Sequence, residues 1–297
     1  MEKVILDSVN DYKLSLAVFE SKEAKAVVQI VHGMQEHKER YYPFAEFLSK
    51  NGYHVVVSDM RGHGEDAPIL GHIADKKGEI LLLQDQQNIH KYIKDRFDLP
   101  VVLFGHSMGS IISRVLLQGW SKEYAKVILS GYVSPNPVSG VAVVLGNMVR
   151  VFTGKKRSSK LLASLALGPY TKSVKDRKTD LDWLSYNEDN VQQYIACPLC
   201  GIKFSNGSFS ALFHLLNDMG KAKKYYMVNK SLPILLAGGE DDPCTGGEKG
   251  RANSKKVLEK AGFSNISVIT YPKMRHEILN EKDNQKVYQD MLDFLDK

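Results

Sequence analysis

The stretch Val101–Gly109 has the sequence Val-Val-Leu-Phe-Gly-His-Ser-Met-Gly, and it indicates the fold of the whole chain. Four apolar residues typical of a buried strand lead into Gly-x-Ser-x-Gly, and a helical pattern begins at Met108. A serine at such a strand-to-helix turn adopts strained backbone angles and projects its hydroxyl from the sheet edge. The helix directs its unpaired N–H groups and positive dipole end toward that hydroxyl. A bare Gly-x-Ser-x-Gly often arises by chance, but this context predicts that Ser107 is a nucleophile.

Strand patterns and helix patterns alternate on both sides of this turn. The predicted strands are Val4–Leu6, Lys13–Phe19, Lys25–Val31, Tyr53–Ser58, Val101–Phe104, Lys126–Ser130, Pro233–Ala237 and Ser267–Tyr271. The predicted helices lie at about Tyr42–Asn51, Glu79–Arg96, Met108–Gln118, Gly250–Ala261 and Glu281–Leu295. This alternation predicts an α/β fold, with a mostly parallel eight-stranded sheet covered by helices on both faces. Functional loops are then expected at the C-terminal ends of the strands.

The alternation is interrupted between Ser134 and Asn229, where helical patterns occur without a strong strand. An insertion of this size after the sixth strand is expected to lie over the functional face of the sheet. We therefore predict a core formed by residues 1–134 and 230–297, with a helical cap formed by residues 135–229. Within the cap, the Lys-, Arg-, Gly- and Ser-rich segment Arg150–Lys160 predicts a mobile loop.

An activated serine needs a base, and the base needs an acid that orients it. The loop after the strand Pro233–Ala237 contains Asp241 and Asp242, and His276 follows the last predicted strand. This order, serine, then acid, then histidine, is the order found in sheet hydrolases. We favour Asp242 as the acid because Pro243 rigidifies its turn, while Asp241 stays open as the alternative.

The N–H of Met108, the residue after the nucleophile, is the first predicted oxyanion donor. The second is predicted to be the N–H of Met34, in the loop after Lys25–Val31, with Gly33 giving the backbone room to approach. His32 and His37 are not expected to bind a metal, because no nearby Cys or Asp cluster completes a site.

The composition limits the cellular setting and the kinds of binding partner that this chain fits. Three cysteines in 297 residues cannot support a disulfide framework, which favours a reducing, cytoplasmic setting. The chain begins without a signal-peptide pattern, and no apolar stretch is long enough to span a bilayer. The net charge of +6 is spread out, so nucleic-acid binding is not expected. Cys197-Pro198-Leu199-Cys200 stands alone in the cap and is interpreted as two reduced thiols rather than a metal or redox site.

Together these motifs resemble one known group of enzymes across nearly the whole chain. The matching motifs are His32-Gly33-Met34-x-Glu36-His37-x-x-Arg40-Tyr41, Asp59-x-Arg61-Gly62-His63-Gly64, Gly105-His106-Ser107-Met108-Gly109, Gly239-x-x-Asp242-Pro243 and Tyr271-Pro272-x-x-Arg275-His276-Glu277. They resemble the monoacylglycerol lipase and lysophospholipase group of α/β-hydrolases, often labelled serine aminopeptidases in bacteria. The cap resembles nothing definite.

The resemblance implies an α/β-hydrolase fold and a serine esterase that cleaves acyl esters of glycerol or lysophospholipids. It implies the triad Ser107, Asp242 and His276 with oxyanion donors Met34 and Met108, and the reaction requires no cofactor and no metal. A peptidase or amidase on the same triad is one alternative, for which acidic cap residues could hold a substrate amine: Asp176, Asp180, Asp182 and Glu188. A non-catalytic ligand-binding protein on this fold is the other.

The apolar cap segment Val138–Val149 has two interpretations. It is either a cap helix buried against the core or the wall of an acyl-chain entrance that transiently contacts a membrane or micelle surface. On the second interpretation we expect Gly33, Val144 and Met148 to bind the substrate. The expected binding partner is a small-molecule acyl ester substrate, and the sequence leaves the oligomeric state open.

Overall fold

The computed structural model describes residues 1–297 and contains eight strands and nine α-helices. The strands are β1 (Glu2–Ser8), β2 (Tyr12–Phe19), β3 (Ala26–Val31), β4 (Tyr53–Ser58), β5 (Val101–His106), β6 (Lys126–Ser130), β7 (Ile234–Gly239) and β8 (Ile266–Tyr271). The helices are α1 (Tyr42–Lys50), α2 (Gly78–Phe97), α3 (Met108–Trp120), α4 (Ser139–Thr153), α5 (Lys160–Ser173), α6 (Glu188–Ala196), α7 (Asn206–Met219), α8 (Gly247–Ala261) and α9 (Asn284–Asp296).

All eight strands form one sheet in the order β1-β2-β4-β3-β5-β6-β7-β8. Strand β2 runs antiparallel to both neighbours, β1 and β4, and every other pairing is parallel. The C-terminal ends of the parallel strands therefore meet at one edge, where ligands of open α/β sheets bind. The predicted fold class is confirmed.

The central strands are buried on both faces of the sheet, and most of their residues are apolar. In β5, Val101 and Leu103 belong to one core cluster and Val102 and Phe104 to the other, as the two-residue period of a strand requires. Helices α2, α3 and α8 cover the first face, and α1 and α9 cover the second. Burying each such side chain stabilises the fold by roughly 1.5–3 kcal/mol.

Four helices, α4 to α7, occupy the interval between β6 and β7, where no strand is found. Helix α7 joins this segment to the rest of the molecule, since it packs on α3 as well as on α4. The prediction of a loop over Arg150–Lys160 is wrong at its start, because α4 continues to Thr153. The Arg150 guanidinium donates to the carbonyl of Asp75 and to the side chain of Asn147, which anchors that end of the helix.

None of the helices combines the length and the apolarity needed to cross a membrane.

Candidate active site

Ser107 occupies the sharp turn between β5 and α3, with φ of 52° and ψ of −117°. The turn needs its flanking glycines because their positions have no room for a side chain. A Cβ on Gly109 would overlap the carbonyl oxygen of Val31, and one on Gly105 would overlap the backbone of Gly109. The Ser107 N–H donates to the carbonyl of Ser130 at 3.0 Å, which fixes the turn against β6.

His276 and Asp242 form a buried pair beside this turn. The Nδ1 of His276 lies 3.0 Å from Oδ2 of Asp242, and the other oxygen of Asp242 accepts the N–H of Cys244 at 2.8 Å. Burial alone would lower the pKa of His276, but the negative charges of Asp242, Glu277 and Glu36 raise it above 6.5. The alternative acid, Asp241, is exposed and accepts the Tyr186 hydroxyl at 3.0 Å. Of the two candidates, Asp242 therefore contacts the histidine.

The two predicted oxyanion donors lie on the wall of the same cavity as Ser107 and His276. On either side of Met34 the backbone N–H groups are occupied, because Gly33 donates to Glu36 at 2.5 Å and Gln35 donates to Nε2 of His63 at 3.2 Å. The N–H of Met34 has no acceptor within the protein. The N–H of Met108 is the first of α3 and lacks an intrahelical acceptor. Both N–H groups are therefore free for a ligand oxygen.

A buried ionic network, which sequence reasoning had not assigned, connects residues 32–37, named the oxyanion loop for their predicted role, to the His276 loop. Arg40 donates to both oxygens of Glu277 at 2.6 and 2.7 Å and to Glu36 at 3.0 Å. Burial alone would raise the pKa of Glu277, but Arg40 lowers it to about 2, so this carboxylate stays ionised. Asn190 of α6 donates to Glu277 at 2.6 Å and brings the inserted helices into the network. The motif residues Glu36, Arg40 and Glu277 thus position the two loops relative to each other.

Three further histidines surround the site but stay uncharged. Burial lowers the pKa of His32 and of His63 to about 3, and burial together with the charge of His276 lowers that of His106 well below 6.5. His63 holds Gln35, while Nε2 of His32 accepts the N–H of Met60 at 2.9 Å. The segment Asp59–Gly64 therefore shapes the oxyanion loop and does not line the cavity.

A cavity lies above Ser107, and 14 of its 21 lining residues are hydrophobic. The segment between β6 and β7, which contains the inserted helices α4 to α7, supplies much of this apolar wall: Ala166, Leu167, Tyr170, Leu181, Trp183, Leu184, Tyr194, Leu212 and Leu216. Trp183 packs on the His276 ring at 5.0 Å between centroids, and Leu184 accepts the N–H of Glu277 at 2.7 Å. Sequence reasoning missed these residues, although the apolar pair Trp183-Leu184 in a polar stretch was the available signal.

Gly33 lies on the cavity wall, but Val144 and Met148 do not. Helix α4 packs its opposite side on α7, which leaves Val144 59% exposed and Met148 52% exposed on the outside of the molecule. The prediction that these two residues line the acyl route is therefore wrong. The alternative prediction, a cap helix buried against the core, is confirmed only for the side that packs on the core cluster through Ala142, Val143, Leu145 and Val149.

A family model described as "Serine aminopeptidase, S33" matches residues 22–283 of the chain. The chain is 24% identical over 277 residues to a monoacylglycerol lipase of Mycolicibacterium smegmatis, covering 92% of this chain and 89% of that protein. It is 25% identical over 273 residues to phospholipase YtpA of Bacillus subtilis, covering 92% of this chain and 95% of that protein.

Among solved structures, a highly thermostable carboxyl esterase from Bacillus coagulans superposes with a TM-score of 0.90 at 23% identity. The superposition covers 99% of this chain and 97% of that one, and it bears on the fold alone. These matches confirm the resemblance drawn from the motifs. Since the family model spans most of the sequence, the chain belongs to the serine aminopeptidase family of α/β-hydrolases.

Proposed function

We propose that this protein is a serine esterase that hydrolyses monoacylglycerols or lysophospholipids through an acyl-enzyme on Ser107. The main support is that Ser107, His276 and the residues that carry two free N–H groups, Met34 and Met108, line one largely apolar cavity, while buried Asp242 bonds to His276. Two relatives are named as a monoacylglycerol lipase and a phospholipase, which supports a lipid ester as the substrate. Because the family description names an aminopeptidase, the residues of the site must distinguish an ester substrate from an amide substrate.

In the proposed mechanism, Nε2 of His276 accepts the hydroxyl proton of Ser107 while Oγ bonds to the ester carbonyl carbon. The N–H groups of Met34 and Met108 donate to the carbonyl oxygen as it becomes negative, and each lowers the barrier by about 3 kcal/mol. The ester C–O bond then breaks, and the alcohol leaves with the proton held by His276. A water molecule, deprotonated by the same imidazole, attacks the acyl-enzyme, releases the carboxylic acid and restores Ser107.

Asp242 orients His276 in this scheme. Its carboxylate accepts the proton on Nδ1, so Nε2 is left as the nitrogen that can accept a proton. The bond from the Cys244 N–H holds the carboxylate in place.

The cavity indicates the acyl part of the substrate. Each buried methylene stabilises a bound chain by about 0.8 kcal/mol, or roughly fourfold in affinity. We therefore expect kcat/KM for p-nitrophenyl esters to rise from acetate through medium chains until the cavity is filled. A profile that falls steadily from acetate onward would contradict a long-chain substrate.

A matched pair of variants in α5 tests which surface holds the chain. Leu167 lines the cavity, whereas Leu165 lies outside it and is 43% exposed. Leu167→Trp fills part of the cavity, so it is expected to shift the preference toward shorter esters and to spare acetate. Leu165→Trp is the control and is expected to leave the chain-length profile unchanged.

The acidic residues that a peptidase would use do not line the cavity of the reactive serine. Asp176, Asp182 and Glu188 line a separate surface pocket, and no acidic side chain of the inserted helices lines the cavity. The cavity carboxylates, Glu36 and Glu277, are both bonded to Arg40 and are not free to hold a substrate amine. An aminoacyl p-nitroanilide turned over faster than the best ester would overturn the ester assignment.

We also propose that the outer face of α4 contacts membranes or micelles. Val141, Val144, Met148 and Val151 recur at helical spacing and are all exposed, and the neighbouring Phe152 is 81% exposed. Basic residues follow the end of the helix and can meet anionic headgroups: Lys155, Lys156 and Arg157. Such an arrangement of apolar and basic side chains suits an interfacial surface.

The test compares one substitution at two exposed apolar positions. Val144→Asp is expected to weaken co-sedimentation with vesicles containing anionic lipid, without changing the melting temperature or the turnover of soluble short esters. Ile5→Asp is the control, since Ile5 is 57% exposed on β1. Equal vesicle binding by both variants and the wild type would exclude this surface.

A further inference from the structure

Three side chains that commonly bind metals meet where the inserted helices contact the oxyanion loop. Nε2 of His37 lies 3.3 Å from Sγ of Cys197, and the ligand atoms of His37, Cys197 and Cys200 all lie within 4.8 Å of one another. His37 and Cys200 are buried, and Cys197 is half-buried. Sequence reasoning expected no metal at His37, because no Cys or Asp cluster completes a site, and none at the cysteine pair, because it stands alone in the cap.

His37 has its metal-binding nitrogen already directed at the thiols. Its Nδ1 is hydrogen-bonded to the carboxylate of Glu39, which leaves Nε2 facing Cys197. A carboxylate on the far nitrogen of a ligating histidine is the usual support in zinc sites, where it fixes the orientation of the ring. The other oxygen of Glu39 accepts from Lys38 at 2.9 Å, so the carboxylate is itself held.

The cysteine pair has the spacing of a metal-binding turn. Cys197 follows the end of α6, and the N–H of Cys200 donates to the carbonyl of Cys197 at 3.1 Å. This Cys-x-x-Cys turn brings both sulfur atoms to one side, where Zn²⁺ is bound by two thiolates and an imidazole in many proteins.

The surrounding charges accommodate a cation. Lys38 is bonded to both Glu39 and Asp59, and Arg40 is bonded to both Glu36 and Glu277. Lys38 and Arg40 are therefore each paired with two carboxylates, so neither presents an unpaired positive charge to an added divalent ion.

We propose that His37, Cys197 and Cys200 form a binding site for one Zn²⁺ ion, with a water molecule as the fourth ligand. Three protein ligands and one water complete the tetrahedral set that zinc prefers. Binding releases the two thiol protons to solvent, because thiolates are the ligands.

The site would clamp the inserted helices to the oxyanion loop. The segment after Cys200 is already bonded to Gln35, whose carbonyl accepts the N–H of Gly201 at 2.9 Å and whose side chain donates to the carbonyl of Ile202 at 2.6 Å. Gln35 directly follows Met34, so a metal there would hold the backbone of the proposed oxyanion donor. This consequence rests on the proposed function, whereas the metal site itself does not.

The test is a titration of fully reduced, metal-stripped protein with Zn²⁺, together with Co²⁺ substitution. One equivalent of zinc is expected to bind and to raise the melting temperature, and Co²⁺ is expected to give a thiolate-to-cobalt charge-transfer band. Cys197→Ser and His37→Ala are expected to abolish stoichiometric binding and the band. Glu39→Gln, which removes the charged support of His37 but none of the three ligands, is expected to weaken binding about 10- to 100-fold.

The control is the third cysteine. Cys244 forms a second cluster of ligating groups with Asp242 and His276, so Cys244→Ala separates binding at the triad from binding at the cap. The proposal predicts that Cys244→Ala keeps one equivalent of zinc. Binding lost in Cys244→Ala but retained in Cys197→Ser would overturn it. So would fully reduced wild-type protein that binds no zinc. Because zinc is measured directly, these outcomes do not depend on esterase activity.

Discussion

At the residue scale, Asp241 and Asp242 are neighbours in sequence that lie in opposite surroundings. Asp242 is buried against His276, while Asp241 faces solvent and accepts from Tyr186. Sequence reasoning could favour Asp242 only through the proline that follows it, because side-chain direction in a loop is decided by tertiary contacts. The order of serine, acid and histidine, by contrast, could be read from the strand pattern alone.

This difference predicts opposite outcomes for two equivalent substitutions. Asp242→Asn is expected to lower kcat by about 10⁴-fold, since the amide favours the wrong tautomer of His276. Asp241→Asn is expected to leave kcat within about twofold, as is usual for an exposed side chain outside the site. Steady-state kinetics on a short ester would decide, and the reverse ranking would make Asp241 the acid.

The charge on Asp242 also sets the pH dependence. Burial acts to lower the pKa of His276, but Asp242 raises it above 6.5, and the proton must leave before the imidazole can act as a base. We expect kcat/KM for a neutral ester to rise with pH and to reach half its plateau above pH 6.5. In Asp242→Asn the residual activity should have its midpoint at lower pH. An unchanged midpoint in the variant would contradict the assigned cause.

At the element scale, the strands and the core helices could be predicted to within a few residues, because periodicity and glycine punctuation mark them. Helix α4 shows what periodicity cannot decide. Its sequence is apolar nearly all round, so only contacts reveal that one side packs on α7 while Val144 and Met148 face outward. Gly146 marks the packed side, since a Cβ there would lie 2.9 Å from the ring of Phe213.

The two glycines of α4 give a matched test of this packing. Gly140→Ala meets only Asn217, at 3.7 Å, so it is expected to stabilise the protein by up to about 1 kcal/mol through helix propensity. Gly146→Ala gains the same propensity but must displace the buried Phe213, so its melting temperature is expected to fall below that of Gly140→Ala. Equal melting temperatures would mean that α4 does not pack closely on α7.

At the scale of the whole molecule, contacts between distant segments assemble the site. The Arg40–Glu277 pair joins residues 237 positions apart, and the His37–Cys197 contact joins residues 160 apart. The sequence contains Arg40 and Glu277 within the motifs quoted above, and it contains Cys197 within a lone Cys-x-x-Cys. Their pairing was not predictable, because it depends on how the inserted helices settle on the sheet.

The buried network predicts a large effect from a single substitution. Arg40→Met leaves Glu277 and Glu36 buried without their partner, and breaking such a pair costs roughly 3–5 kcal/mol. We expect a clear fall in melting temperature together with lower kcat, since both loops lose their common anchor. Lys178→Met is the control, because its pair with Glu188 is exposed, and no measurable change in melting temperature is expected. Similar losses in the two variants would contradict the role given to the network.

The central claim, that Ser107 is the nucleophile of an ester hydrolase, is tested most directly by mass spectrometry after reaction with a fluorophosphonate. The account predicts a single adduct on the peptide that contains Ser107 in the wild type and no adduct in Ser107→Ala. The same variant is expected to lose roughly a millionfold in ester turnover while keeping its melting temperature. An unlabelled wild-type protein, an adduct on another residue, or a Ser107→Ala variant with substantial turnover would contradict the account.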